Sequence, residues 1–393
     1  MKNFIYISIF ILFATVTSTA QISISNGNHI VEISGGVSGY YNNRQLKETS
    51  NNQNKDRFKL RDAQIQIEGR IKDIWEYEIQ MDFADMAAND VSNGDIDPEN
   101  PGLMDAYVVY KGLDWFDIKL GYGKVPYSRS SLVPFGFTPY WQRAELVRGS
   151  MFNRRDVGIT LSKSFYKQRI SITAGAYTGL GEISLSGDND ASGSLEYIGR
   201  ADFSYPSRFR YRDIDDRHTP IPMFSLGVNA RYADKSLPEG RSFPALATGE
   251  YNMKVIDGKK YAYGLDFVVQ YMGFSGQFEI HQIKGEPQRQ GDPLFYGIPA
   301  EQNGGYFLAG GYIGQLNYFF KDWKTIISAR YEELDLSDLV PGNSRRLSSA
   351  VAYQINGFDA MIKFQYFNIL KEESIDPIRW TEQFRIGLQL NFK

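Results

Sequence analysis

Between Lys124 and Arg155 the chain gathers six basic residues, Lys124, Arg129, Arg143, Arg148, Arg154 and Arg155, against one acid, Glu145. Interleaved with them are Pro134, Phe135, Phe137, Pro139, Tyr140 and Trp141. Guanidinium groups offer planar, paired donors that match phosphate and carboxylate oxygens. Basic side chains gathered at a constriction favour anions. A loop bathed in bulk water has no use for so many rings, whereas a loop folded into a barrel lumen packs them on the inner wall. The competing reading is an outer loop whose cations touch lipid headgroups or nothing. The chemistry on offer is anion handling at a narrow place, provided that the flanking elements form a tube.

Other chemistries find little support. His29, His218 and His281 are far apart and lack metal-ligand spacing. There is no G-x-S-x-G elbow and no G-x-x-x-x-G-K phosphate loop, so no enzymatic role is expected. Asp188-Asn189-Asp190 opens like a calcium loop, but the twelfth position is Gly199 rather than a bidentate Glu, so no metal or other cofactor is expected there. The acidic run from Met86 to Asp105, which holds no basic residue, is a weak candidate for divalent cations.

The elements that must position the basic loop are strands. In the closing stretch Phe384, Ile386, Leu388, Leu390 and Phe392 fall on one face, and Arg385, Gly387, Gln389, Asn391 and Lys393 on the other. Trp75, Tyr77, Ile79, Met81 and Phe83 alternate in the same way with Glu76, Glu78, Gln80 and Asp82. Between Arg57 and Arg70 the apolar phase shifts from Phe58 and Leu60 to Ala63, Ile65 and Ile67, which predicts a β-bulge at Arg61-Asp62. About sixteen such strands can be traced. Short connections at Lys72, Leu113, Lys167, Gly273, Lys321-Asp322 and Asn356-Gly357 alternate with long ones at 42–56, 86–102, 125–154, 179–194, 235–259 and 285–304. That rhythm predicts an all-β transmembrane antiparallel barrel with short periplasmic turns, long external loops and a constriction loop folded into the lumen. Residues 206–222 break the rhythm, being long where a short turn is due: either a periplasmic excursion or a missed strand. A soluble β-sandwich is the plainer alternative, but it has no reason to alternate its loop lengths.

Composition fits a barrel wall. The 26 Tyr and 26 Phe suit lipid-facing girdles, while a mean hydropathy of -0.38 excludes a bundle of membrane helices. A formal charge of -3 gives no basis for nucleic-acid binding. Lys2, an apolar run from Phe4 to Val16 and the small residues before Gln21 predict a signal peptide over 1–20, with the barrel over 21–393. With no cysteine, lipidation and disulfides are excluded.

Leu60-Arg61-Asp62-Ala63-Gln64-Ile65-Gln66-Ile67-Glu68-Gly69, then Trp75-Glu76-Tyr77 and Met81-Asp82-Phe83-Ala84, resemble the opening of the phosphate-selective porin O and P family. Met104-Asp105-Ala106-Tyr107-Val108, Gly121-Tyr122-Gly123-Lys124-Val125-Pro126-Tyr127 and Arg155-Asp156-Val157-Gly158-Ile159 are similar to its next blocks. The resemblance implies a sixteen-stranded homotrimer in the cell outer membrane, passing small hydrophilic solutes and guiding anions such as phosphate past basic residues. Arg143 and Arg155 sit at matching motif positions. The partners implied are outer-membrane lipid, small anions and, through the C-terminal strand, the barrel-assembly machinery. Lumen charges read from the strands alone are mixed and form no one-sided ladder, so any anion preference should come from the 124–155 loop. A non-conducting barrel that displays its loops as a surface binding or adhesion scaffold is the alternative, and single-channel conductance separates the two.

Overall fold

The structure, a computed structural model, describes residues 22–46, 55–86, 102–148, 151–181, 192–238, 255–288, 305–339, 342–372 and 380–392. The predicted signal peptide (1–20), most of the acidic run, the calcium-like Asp188–Asp190 and parts of the other long connections lie outside these residues. The strands are β1 (Ile22–Asn26), β2 (His29–Leu46), β3 (Lys55–Ile71), β4 (Trp75–Asp82), β5 (Leu103–Tyr110), β6 (Asp117–Lys124), β7 (Arg155–Phe165), β8 (Ile170–Tyr177) and β9 (Glu196–Tyr205). They continue with β10 (Met223–Lys235), β11 (Gly258–Tyr271), β12 (Phe274–Pro287), β13 (Phe307–Phe320), β14 (Thr325–Asp335), β15 (Ser344–Asn356), β16 (Ala360–Lys371) and β17 (Trp380–Phe392).

From β2 to β17 each strand pairs antiparallel with the next, and β17 pairs back onto β2 from Phe392↔Gly35 up to Trp380↔Leu46. That closure makes a sixteen-stranded barrel with no free edge, the condition for placing strands in lipid. The short β1, which periodicity did not reveal, pairs with the first residues of β2 (Ile22↔Ile33 to Asn26↔His29) and takes up the β2 edge beyond Phe392. The predicted bulge is present: Ser38 pairs with Asp62 and Gly39 with Leu60, which leaves Arg61 as the extra residue. Between β3 and β4 the tight turn puts Lys72 and Asp73 at φ 52° and 53°, the left-handed pair of a type I′ hairpin.

The two faces are inverted relative to a soluble protein. Along β15 the buried residues are Ser344, Arg346, Ser348, Ala350, Ala352 and Gln354, and the exposed ones include Leu347, Val351 and Tyr353. At the closing strand Leu390 is 48% exposed while its neighbour Gln389 is 2% exposed and donates inward to the carbonyls of Gly136 and Phe358. Such a belt of outward apolar side chains needs lipid around it.

Two segments fill part of the interior. Residues 125–154, joining β6 to β7 from the long-loop rim, fold inside the barrel. Val125, Tyr127, Leu146, Met151 and Phe152 join Ile198, Ile283, Phe307, Ile313 and Leu334 of the wall in an apolar core. Residues 206–222, joining β9 to β10, enter from the opposite, short-turn rim. Ile214 packs with Phe319, Ile326, Ala352, Phe358 and Met361, and the carbonyl of Asp213 accepts from Asn317 Nδ2 at 2.9 Å. This accounts for the break in loop rhythm: no strand is missing, and the connection is long because it folds inward. Both segments lean on the wall from β8 round to β17, so the free space lies along β2 to β6.

Candidate functional site

The basic loop leaves and returns at adjacent wall positions, because Lys124 pairs with Arg155 across β6 and β7 and the Val125 N–H donates to the Arg154 carbonyl at 3.0 Å. Its tip is moored by Trp141, fully buried, whose N–H donates to Gln365 Oε1 at 2.6 Å and whose indole Nε1 donates to the Lys363 carbonyl at 3.1 Å. Arg61 Nε donates back to the Trp141 carbonyl at 3.4 Å, the Tyr40 ring lies 5.2 Å away and the Lys363 ammonium sits 5.1 Å over the indole. Further along, the Glu145 N–H donates to Glu332 Oε2 at 2.6 Å and Arg346 Nη1 bridges to Glu145 Oε2 at 2.9 Å. The other flank is held by Glu279, which accepts from the N–H (3.0 Å) and Oγ (2.6 Å) of Ser130. Beside it His281 touches Glu279 at 2.6 Å and the Tyr127 hydroxyl at 3.1 Å.

The six sequence-nominated basic residues separate into different environments. Lys124, Arg143 and Arg155 line one cavity of about 380 Å³, together with Lys119. Arg143 is fixed by donating Nη1 to the carbonyls of Ser130 (2.9 Å) and Val133 (2.7 Å). Arg155 forms a two-pronged pair with Asp105 (Nε 3.3 Å, Nη2 2.9 Å). Arg154 contributes its backbone to the loop neck, and the side chain of Arg148 lies outside the described residues. Arg129 faces away from the cavity: it is buried and donates Nη2 to the carbonyls of Arg210 (3.0 Å) and Arg212 (3.4 Å), with the rings of Phe209 and Tyr211 4.9 and 5.3 Å away. Burial lowers the pKa of Arg129, opposed by Asp266, and pushes the Tyr211 phenol up to about 12, opposed by Arg200. Arg129 thus ties the two inserted segments together, helped by Arg212 4.7 Å over the Phe137 ring. Replacing Arg129 by Ala should cost about 2–3 kcal/mol, the worth of charged hydrogen bonds lost in the interior. The readout is a lower temperature for the shift from folded to heat-denatured gel mobility; an unmoved transition would mean that the two segments do not depend on one another.

The expectation of no one-sided ladder is corrected by the wall itself. Toward the long-loop half, from β14 round to β3, inward positions carry Arg330, Arg346, Arg385, Arg44, Arg57, Lys59 and Arg61, with Lys363 nearer the short-turn end of β16. The acids among them are Glu332 and Asp62. Sequence reading missed this sector for two reasons. It placed 42–56 in a long connection, which hid Arg44, and the bulge at Arg61 brings Arg57 and Lys59 onto the lumen face opposite Asn42 and Tyr40. The spacing of Arg57, Lys59 and Arg61, every second residue, was the available signal. Lys324 and Asp359 fall in short turns, outside the strands. Elsewhere opposite charges do pair across strands: Arg231 and Lys260 both hold Glu196, and Arg200 holds Asp266.

A closed barrel with apolar side chains outward, polar ones inward and a loop narrowing its bore is an outer-membrane porin, a channel for small solutes. Residues 31–207 match the model of the family described as phosphate-selective porin O and P. Solved barrels share the fold at low identity. The outer-membrane protein OmpT of Vibrio cholerae superposes with a TM-score of 0.56 at 8% identity, covering 94% of this chain and 100% of its own. The channel DcaP of Acinetobacter baumannii gives 0.56 at 11%, covering 94% and 99%. OmpF of Salmonella typhi, solved with daunomycin, gives 0.53 at 13%, covering 94% and 100%. No curated protein sequence matches the chain.

Proposed function

We propose that this outer-membrane channel is anion-preferring, with its long loops external and its short turns periplasmic. The observation that carries the reading is the basic sector on the long-loop half of the wall, where Arg44, Arg57 and Lys59 stand half-exposed at the mouth above Arg61 and Arg385. Rows of like charge on low-dielectric walls concentrate counter-ions and set the sign of permeability. Lys124, Arg143 and Arg155 extend that potential to the waist, where an oxyanion such as phosphate would meet Lys119 and Lys124. In this reading residues 1–20 are removed as a signal peptide and the barrel assembles as a trimer, in line with one OmpT structure described as a trimer form.

In planar bilayers with a salt gradient, the reversal potential should favour chloride over potassium. Changing Arg44, Arg57 and Lys59 together to Ala should lower the chloride-to-potassium permeability ratio by about twofold or more, most clearly at low salt where screening is weak. An unchanged ratio would remove the mouth from the selectivity mechanism, and cation preference in the parent would remove the anion reading.

A further inference from the structure

The basic mouth does not continue down the bore. Along β3 the lumen-facing side chains run Arg57, Lys59 and Arg61, then Asp62, Gln64 and Gln66, then Glu68. Arg57 to Glu68 covers roughly 35 Å of strand. That is several Debye lengths of about 8–10 Å, so a solute feels the two charged zones separately.

At the waist the two signs meet. Lys119 and Lys124 of β6 and Arg143 of the inserted segment line the 380 Å³ cavity together with Glu68 of β3 and Glu78 of β4, two to three strands along the wall. Arg155 and Asp105 are already engaged with each other there. Glu78 is held by Gln66 Nε2 at 2.9 Å and by the Tyr107 hydroxyl. A second cavity, of about 240 Å³, shares Glu68, Glu78 and Tyr107 with the first and runs on to Glu32 and Glu76. The two cavities therefore adjoin along β2 to β5, and the sign of the lining changes between them. The lining of the second cavity holds the acids Glu32, Glu68, Glu76 and Glu78 and one base, Arg70, and Glu76 is also bridged by Lys111 at 2.6 Å.

We infer that the solutes favoured beyond the mouth are small zwitterions, with a carboxylate or phosphate at one end and an ammonium at the other; this rests on the channel reading above. A plain anion drawn in by Arg57 and Lys59 next meets Glu68 and Glu78. A plain cation is repelled before it arrives. A zwitterion presents its anionic end to Lys119 and Lys124 and its cationic end to Glu68 and Glu78, so each end exchanges some hydration for an opposite charge.

The test is uptake into proteoliposomes at neutral pH of three probes of similar size: β-alanine as zwitterion, sodium propionate as anion and erythritol as neutral. β-Alanine should enter about threefold faster than erythritol, the gain of one partly exposed charge pair, and faster than propionate. Glu68→Gln with Glu78→Gln, which keeps the bore, should bring the β-alanine-to-erythritol ratio toward one. Lys124→Met should do the same from the basic part of the lining. β-Alanine no faster than erythritol, propionate at least as fast as β-alanine, or a ratio that neither variant moves would each overturn the inference. No entry of any probe would remove the channel itself, and this inference with it.

Discussion

Replacing Trp141 by Ala should raise the single-channel conductance several-fold and make the open level noisy. The indole is the mooring of the constriction loop: two hydrogen bonds to β16, one from Arg61, a ring contact with Tyr40 and the Lys363 ammonium all converge on this one residue. Truncating a fully buried Trp costs about 3–5 kcal/mol, and part of that returns if the structure relaxes into the hole. The barrel wall, pinned by its ladder, has little room to relax. The loop does, because its tip is joined to β16 and β17 chiefly through side chains. The expected result is therefore a displaced loop in an intact barrel. Conductance equal to the parent's, with normal folding on gels, would show that Trp141 does not set the width of the waist.

The second large effect is on stability. Arg200 of β9 reaches over β10 to Asp266 of β11, with Nη1 and Nη2 at 2.7 and 2.9 Å, and also holds Asp202 on its own strand. The crossing is possible because Gly227 lies between them without a side chain. A Cβ there would stand 2.3 Å from Arg200 Nη2 and 2.6 Å from Asp266 Oδ1. Arg200→Ala removes the guanidinium bonded to both carboxylates, one of them fully buried, leaving Arg129 as a nearby cation for Asp266, and should destabilise the barrel by about 3–5 kcal/mol. Gly227→Val should act in the same direction by pushing the pair apart, whereas Arg200→Lys should recover part of the loss. The measurement is the temperature of the heat-dependent gel shift for each variant. A parent-like transition in Arg200→Ala would mean that lumen water stabilises the two acids as well as the guanidinium does.

What is legible in the sequence is what the sequence encodes locally. Side-chain alternation is set by neighbours two residues away, so the outward faces of β4, β15 and β17 and the bulge at Arg61 were legible. Loop length is equally local, and it exposed 206–222 as anomalous. The destination of an inserted segment depends on partners far along the chain. Arg129 meets Arg210 and Arg212 some eighty positions on, and Trp141 meets Gln365 more than two hundred positions on. Nothing in their spacing announces those meetings. The same holds for the basic mouth, which is assembled from β14–β17 together with β2 and β3 and exists only once the two ends of the sheet have joined.

The interior filling is lopsided, and that asymmetry reaches beyond permeation. On the flank from β8 to β14 the wall is braced from within by packed chain, whereas β4 to β6 line the cavity with membrane behind and solvent in front. Backbone amides on the unbraced flank should exchange with deuterium sooner. A barrel pulled from its rim, or warmed in detergent, should begin to unzip there, with the braced flank surviving as the last folded remnant.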